Sequence, residues 1–300
     1  MERNSVKQVS IWEGLTQSVT DFGLLVKFKL TLLVLFSAVM SYAIVCGGDV
    51  DWTVMGLLAF GGFMVTGAAN ALNQVLERDY DKLMPRTANR PIATGRMSVS
   101  KAVLWAGLMA MAGITVLSFF NPLAGFLGTL SLMSYAFVYT PLKRSTPLSV
   151  VVGAVPGALP LIIGCVVHEG FISPMAFMLF TLQFLWQFPH FWAVAWLADD
   201  DYKKAGFYLL PSKNGVKDST TGLLSFAFCI LMVGNALLGW SLGYVGTWAT
   251  MLLVGLNAYW ALLCWRLFKE CSRAAARKQM FMSFVHLPVS LIVILIDKII

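Results

Sequence analysis

Between Asn73 and Arg96 the sequence reads NQVLERDYDKLMPRTANRPIATGR, with Asn73, Glu77 and Asp81 at intervals of four and Arg86, Arg90 and Arg96 following. Residues at i, i+4 and i+8 share one face of a helix, so an amide and two carboxylates there can converge on one small cation. Asp79 falls off that face. Arg86 and Arg90 are again four apart, and guanidinium forks match phosphate oxygens. The chemistry suggested is a divalent metal held beside a phosphate. A second acidic cluster, Asp199, Asp200 and Asp201, lies further along, and Lys143 and Arg144 in YTPLKR add positive charge. Plainer readings stand beside these. Asp199, Asp200 and Asp201 also suit a solvated helix end paired with Lys203 and Lys204, and Glu77 and Asp81 a network with Arg78, Lys82 and Arg86. Basic residues beside a membrane also mark its cytoplasmic side.

The elements that must position these groups are membrane spans. The chain has 300 residues, 58% hydrophobic and 12% charged, with mean hydropathy +0.74, too little charge for a soluble domain. Apolar runs of about 20 residues recur throughout, each long enough to cross a hydrocarbon core of about 30 Å as a helix. Strand-like alternation is absent, which leaves helices as the spanning element. We place nine spans at 28–46, 53–76, 100–120, 122–140, 147–167, 173–198, 219–241, 245–266 and 279–297. With this partition all Lys and Arg except Lys298 fall on one side, which puts the N-terminus in the cytoplasm and the C-terminus outside. The expected fold is thus an all-α integral membrane protein forming one domain over 28–300. It is preceded by a cytoplasmic segment, 1–27, in which Val6, Val9, Trp12, Leu15, Val19 and Phe22 recur as on an interfacial amphipathic helix.

The net charge of +7 then reads as a topological signal and a surface for anionic lipid or substrate, and nucleic-acid binding is discarded. The five cysteines have no CxxC spacing and read as small buried residues. With neither a cleavable signal nor an Arg- and Ser-rich transit segment in view, a bacterial inner membrane is the expected location.

Spans two and six run inward, so both acidic clusters are expected at helix C-termini, where the backbone dipole disfavours a carboxylate by about 0.3–1 kcal/mol. A cation is wanted there. Mg²⁺ prefers oxygen ligands and takes one or two carboxylates with substrate phosphate oxygens, which suits two half-sites facing each other across a diphosphate. The two clusters lie four spans apart, which hints at a duplicated four-helix unit. His190 lies in WQFPHFW in the sixth span, near Trp186, Gln187 and Trp192. Ionisable groups at that depth usually mark function. A substrate contact, a proton acceptor, a ligand to a metal-bearing substrate and a packing role all remain open for it, whereas His168 and His286 read as structural. Gly153, Pro156, Gly157 and Pro160 suggest a kinked helix lining a cavity, with small-residue packing as the alternative.

NxxxExxxD followed by RTxxRP resembles the first signature of the intramembrane (UbiA-type) prenyltransferases, usually NDxxDxxxD. With YTPLKR, VVGAVPGALP and WQFPHFW followed by DDY, the chain is similar to the branch of that family acting on protoheme IX, over about residues 25–295. The resemblance implies nine transmembrane helices around a central cavity open to lipid and capped by two cytoplasmic loops. It implies that farnesyl diphosphate and heme b react to give heme O and diphosphate, with Mg²⁺ required. Asn73, Glu77 and Asp81 take the first metal-diphosphate motif, Arg86, Arg90, Lys143 and Arg144 the diphosphate contacts, and Asp200 and Asp201 the second acidic motif. Glu77 stands where aromatic-acid prenyltransferases have Asp, and Leu197 where their second motif has its first Asp, leaving Asp199 or Asp200 as the substitute. Association with a heme A synthase or a terminal oxidase is left open.

Overall fold

The computed structural model describes residues 11–212 and 216–300, so Val6 and Val9 of the expected interfacial segment lie outside the described residues. The chain is helical: α1 (Ile11–Leu25), α2 (Phe28–Cys46), α3 (Trp52–Asp81), α4 (Val99–Phe120), α5 (Pro122–Met133), a π-helical turn (Ser134–Tyr139), α6 (Thr140–Leu142), α7 (Ser149–Glu169), α8 (Pro174–Leu197), α9 (Asp199–Lys204), α10 (Ser219–Ser241), α11 (Thr247–Glu270) and α12 (Arg273–Ile299). Local sequence explains the boundaries. Asp51, Ser98, Asn121, Ser173, Asp218 and Ser272 cap helix N-termini by accepting backbone N–H bonds, with Pro122 and Pro174 in first turns.

Among the described residues eight helical runs are long and apolar enough to cross a membrane: α2, α3, α4, α5 through α6, α7, α10, α11 and α12. The protein is therefore multi-pass. At 24 residues α8 matches them in length but carries Gln183, Gln187 and His190, so the expected ninth span rests on a helix whose polar groups turn inward. Gln183 Nε2 donates to Gly157 O at 2.7 Å and Gln187 Nε2 to Ala154 O at 2.9 Å, binding α8 to α7.

Two irregularities shape the interior. Pro160 has no N–H for Pro156 O, and Ser131 Oγ from α5 donates to that carbonyl instead, at 3.3 Å. Gly153 and Gly157 let Tyr139 and Gln187 press against the α7 backbone, because a Cβ at these positions would lie 2.6 Å and 2.0 Å from those side chains. In the π-helical turn Tyr135 O receives both the backbone N–H of Thr140 and its hydroxyl, the latter at 2.9 Å. The extra residue rotates the register that follows by about 100°.

Candidate active site

The last turns of α3 carry the first motif. Asn73, Glu77 and Asp81 are 0%, 6% and 1% exposed and share the face expected from their spacing. Two further residues of α3, Asn70 and Gln74, reach the end of α1. Gln74 Nε2 donates to Leu24 O and Leu25 O at 2.7 and 2.8 Å, and Asn70 Nδ2 to Val26 O at 3.2 Å, so the terminal carbonyls of α1 find partners outside their own helix. The chain then turns through Lys27 in the left-handed region, φ 49, and places Lys27 Nζ 2.7 Å from Asn73 Oδ1. Asn73 Nδ2 donates to Thr140 Oγ1, just past the π-helical turn, at 3.0 Å. Lys143 Nζ sits 2.7 Å from Glu77 Oε1, and Arg90 Nη1 lies 2.7 Å from both carboxylate oxygens of Asp81. Desolvation by burial lowers the Lys27 ammonium to about 7, with Arg90 and Lys143 adding repulsion and Glu77 and Asp81 opposing it.

The compensation that carboxylates at a helix C-terminus require thus comes first from Lys143 and Arg90, with Lys27, at the turn between α1 and α2, on the amide of Asn73. Arg78 and Lys82 instead pair with the exposed Asp79 at 3.3 and 2.9 Å. Arg96, at the end of the same segment, holds Asp21 of α1 at 2.9 Å.

Arg86 and Arg144 have no carboxylate partner among the described residues. Each lies on a tyrosine: Arg86 4.2 Å from the ring centre of Tyr202, Arg144 4.6 Å from that of Tyr80. Phe207 packs between Tyr80 and Tyr202, with centroids 6.0 and 6.3 Å away. The segment after α8 therefore closes over the site through its aromatic residues.

Its carboxylates pair with nearby lysines. A break at Ala198 makes Asp199, Asp200 and Asp201 the first turn of α9, where the dipole favours them, in addition to following the end of α8 as expected. Asp199 pairs with Lys203 at 2.8 Å and Asp201 with Lys204 at 3.8 Å, while the Asp200 side chain is 80% exposed, 3.8 Å from Lys217. Among the described residues no three His, Cys, Asp or Glu side chains converge as metal ligands. The structure brings together Asn73, Glu77, Asp81, Arg90 and Lys143, with Arg86 and Arg144 at the rim; Asp200 and Asp201 make their described ion pairs with Lys217 and Lys204, beside the Tyr202 on which Arg86 lies. Lys27, Thr140, Tyr80 and Tyr202 were missed from sequence. The last two flank the acidic motifs, which is the signal that could have found them.

The donor set fits a hard cation. Asn73, Glu77 and Asp81 offer only oxygen to it, and Glu77 Oε2 accepts no hydrogen bond among the described residues. Four cations (Arg86, Arg90, Lys143, Arg144) face two carboxylates, leaving two positive charges in excess for an anion, and Lys27 adds to them when protonated.

Beneath the cluster is an apolar cavity of about 290 Å³ bounded by α2, α3, α5, α7, α8 and α12. Asn70 and Tyr139 line its polar end, and Tyr139 is also 4.6 Å from Lys143 Nζ, so cavity and cluster adjoin. Leu30, Leu33 and Phe284 line it and are themselves exposed, which opens it sideways between α2 and α12. His190 lines the wall, away from the acidic residues. A cationic rim above an apolar chamber can hold a molecule with an anionic head and a hydrocarbon tail, with the junction between them at the Asn73–Glu77–Asp81 face.

The UbiA prenyltransferase family pattern matches residues 34–285. The chain is 42% identical over 277 residues to protoheme IX farnesyltransferase of Cytophaga hutchinsonii, covering 92% of this chain and 96% of the relative. It is 40% identical over 291 residues to the enzyme of the same name from Christiangramia forsetii, covering 93% and 94%. The human mitochondrial protoheme IX farnesyltransferase is 32% identical over 299 residues, 97% of this chain and 66% of that protein. Among solved structures, a digeranylgeranylglyceryl phosphate synthase superposes with a TM-score of 0.80 at 17% identity, covering 94% of this chain and 99% of the other. A UbiA homologue from Archaeoglobus fulgidus bound to GPP and Mg²⁺ gives 0.64 at 15% identity, covering 91% and 99%.

Proposed function

The chain belongs to the UbiA prenyltransferase family, and from that premise we propose that it transfers the farnesyl group of farnesyl diphosphate to a vinyl group of heme b, with addition of water, giving heme O. The observation that carries this reading is the adjoining of the cation-rich Asn73–Glu77–Asp81 face and the apolar cavity. The names of relatives 40–42% identical over most of the chain supply the acceptor.

Asn73, Glu77 and Asp81 would hold Mg²⁺, which when bound neutralises diphosphate charge as the leaving group departs. Arg90 and Lys143 stand at the carboxylates and meet the same diphosphate, while Arg86 and Arg144, stacked on tyrosines, offer their planar faces' edges to its outer oxygens. As the allylic C–O bond breaks, its electron pair leaves with diphosphate, and these cations stabilise the charge that develops there. Tyr135, Tyr139, Trp186, Phe191 and Phe284 surround the cavity and favour a cation-like farnesyl carbon by their π faces while excluding bulk water. The vinyl π electrons form the new C–C bond. Water then captures the resulting cation, releasing a proton and leaving a hydroxyl group.

We also place the anion-binding face in the cytoplasm of a bacterium and the enzyme in its inner membrane. The support is the crowding of Lys and Arg on that side of the chain. Incubating purified protein with heme b, farnesyl diphosphate and Mg²⁺ and weighing the extracted heme tests the reading. A mass gain of farnesyl plus a hydroxyl group supports it, and transfer only to an aromatic acid, or no product, overturns it.

A further inference from the structure

His190 has no part in the leaving-group chemistry above, yet its ring is held in a defined state. Nδ1 lies 2.7 Å from Ser283 Oγ on α12. The serine hydroxyl has one hydrogen, and it goes to Met280 O, so its oxygen accepts from the ring. The Nδ1 atom therefore carries the imidazole proton, and Nε2 presents a bare lone pair. Trp186 stacks on the imidazole with centroids 4.6 Å apart and planes at 13°, and its Nε1 donates to Ser283 O at 3.0 Å. Phe191 and Phe284 meet the same ring edge-on at 5.5 and 5.4 Å. Rotation of the ring would break this set of contacts. Nε2 makes no hydrogen bond among the described residues and is not sealed in, and His190 lines the cavity.

The other histidine of the helical interior behaves differently. His286 bonds Asn257 Oδ1 through Nε2 at 2.7 Å, its Nδ1 is enclosed, and the residue is 0% exposed, as a packing residue would be.

A neutral imidazole anchored through one N–H, with the lone pair of the other nitrogen turned into a cavity, is the state in which histidine ligates a metal. No side-chain cluster here could complete the shell of a bare ion among the described residues. A metal bound by His190 must bring its other ligands with it, as a metalloporphyrin does. The geometry points to His190 Nε2 as the axial ligand to the iron of the porphyrin substrate, with Ser283 as the residue that positions it. The assignment rests on heme b being the acceptor. An iron–Nε2 bond would hold the porphyrin in the cavity that His190 shares with Asn70 and Tyr139. It also makes iron, and not only porphyrin shape, part of substrate selection.

Ferric heme b and metal-free protoporphyrin IX, titrated separately into the detergent-purified full chain, test this by Soret absorption and electron paramagnetic resonance. A histidine-ligated heme spectrum is expected. In His190→Ala that spectrum is lost, heme affinity falls by more than about tenfold, added imidazole restores the spectrum, and metal-free porphyrin still binds. Ser283→Ala keeps the ligand but weakens heme binding by about tenfold or more. Retention of the farnesyl diphosphate-induced thermal shift in each variant shows that it is folded. A heme spectrum unchanged in His190→Ala, or equal losses for heme and metal-free porphyrin, overturns the ligand assignment. If wild-type protein still makes heme O in that case, the proposed reaction stands without it.

Discussion

Replacing Asp81 with Asn separates the structural from the chemical role of the first motif. Asp81 is 1% exposed and faces Arg90 Nη1 at 2.7 Å, with the Arg90 side chain 22% exposed. Removing one partner of a buried pair costs about 3–5 kcal/mol. Because Arg90 keeps some contact with solvent and the amide oxygen still accepts a hydrogen bond, we expect a cost of about 2–3 kcal/mol. At about 2–4 °C per kcal/mol for chains somewhat smaller than this one, Tm should drop by roughly 4–12 °C. Turnover should fall further, by about 10²–10³-fold, the scale for losing one preorganised electrostatic group. The double variant Asp81→Asn with Arg90→Gln discriminates, because removing both charges returns most of the stability. Thermal unfolding in detergent and heme O formation by mass, read on the same preparations, measure both. Recovery of turnover together with stability in the double variant would refute the argument, since it would make Asp81 only a partner for Arg90.

The exposed Asp200 predicts the contrary: Asp200→Asn should leave stability within about 0.5 kcal/mol and heme O formation unchanged, and a lost activity in that assay would return Asp200 to the site. Gly157→Ala would put a Cβ 2.0 Å from Gln187 Oε1 and force that side chain off Ala154 O. A destabilisation of about 1–3 kcal/mol and a raised KM for farnesyl diphosphate are expected, by thermal unfolding and steady-state kinetics. Lys27 is lowered from 10.5 to about 7 in the folded chain, so between those values the unfolded chain binds more protons and stability should rise with pH. Below about 7 both states are charged and its contribution is constant. Comparing Tm from pH 6 to 9 checks this, and Lys27→Met should show a flatter rise.

The spacing of Asn73, Glu77 and Asp81 was legible because a helix converts intervals of four into a shared face, whatever surrounds it. The hydrophobic runs were legible for a similar reason, since bilayer thickness sets helix length. Pairing of charges was not. Lys27 lies 46 residues from Asn73 and Lys143 lies 66 from Glu77, distances that no local period encodes. Arg78, Lys82 and Arg86, the neighbours in sequence of Glu77 and Asp81, turned to Asp79 and Tyr202 instead. The acidic triplet at Asp199 was read as one end of a long helix. The break at Ala198 made it the start of another and directed Asp200 to solvent.

By itself the sequence determined that the chain is helical, lives in a bilayer, carries an oxygen-rich face beside a set of cations, and resembles the family to which it belongs. These follow from composition, periodicity and local motif, all properties of short stretches of chain. Only the tertiary structure decided which cation meets which carboxylate, that Tyr80, Tyr202 and Phe207 pack together beside Arg86 and Arg144, and that His190 meets a serine 93 residues away on another helix. Such choices depend on how helices distant in sequence pack, where burial makes each unpaired charge or orphaned N–H costly enough to select its partner.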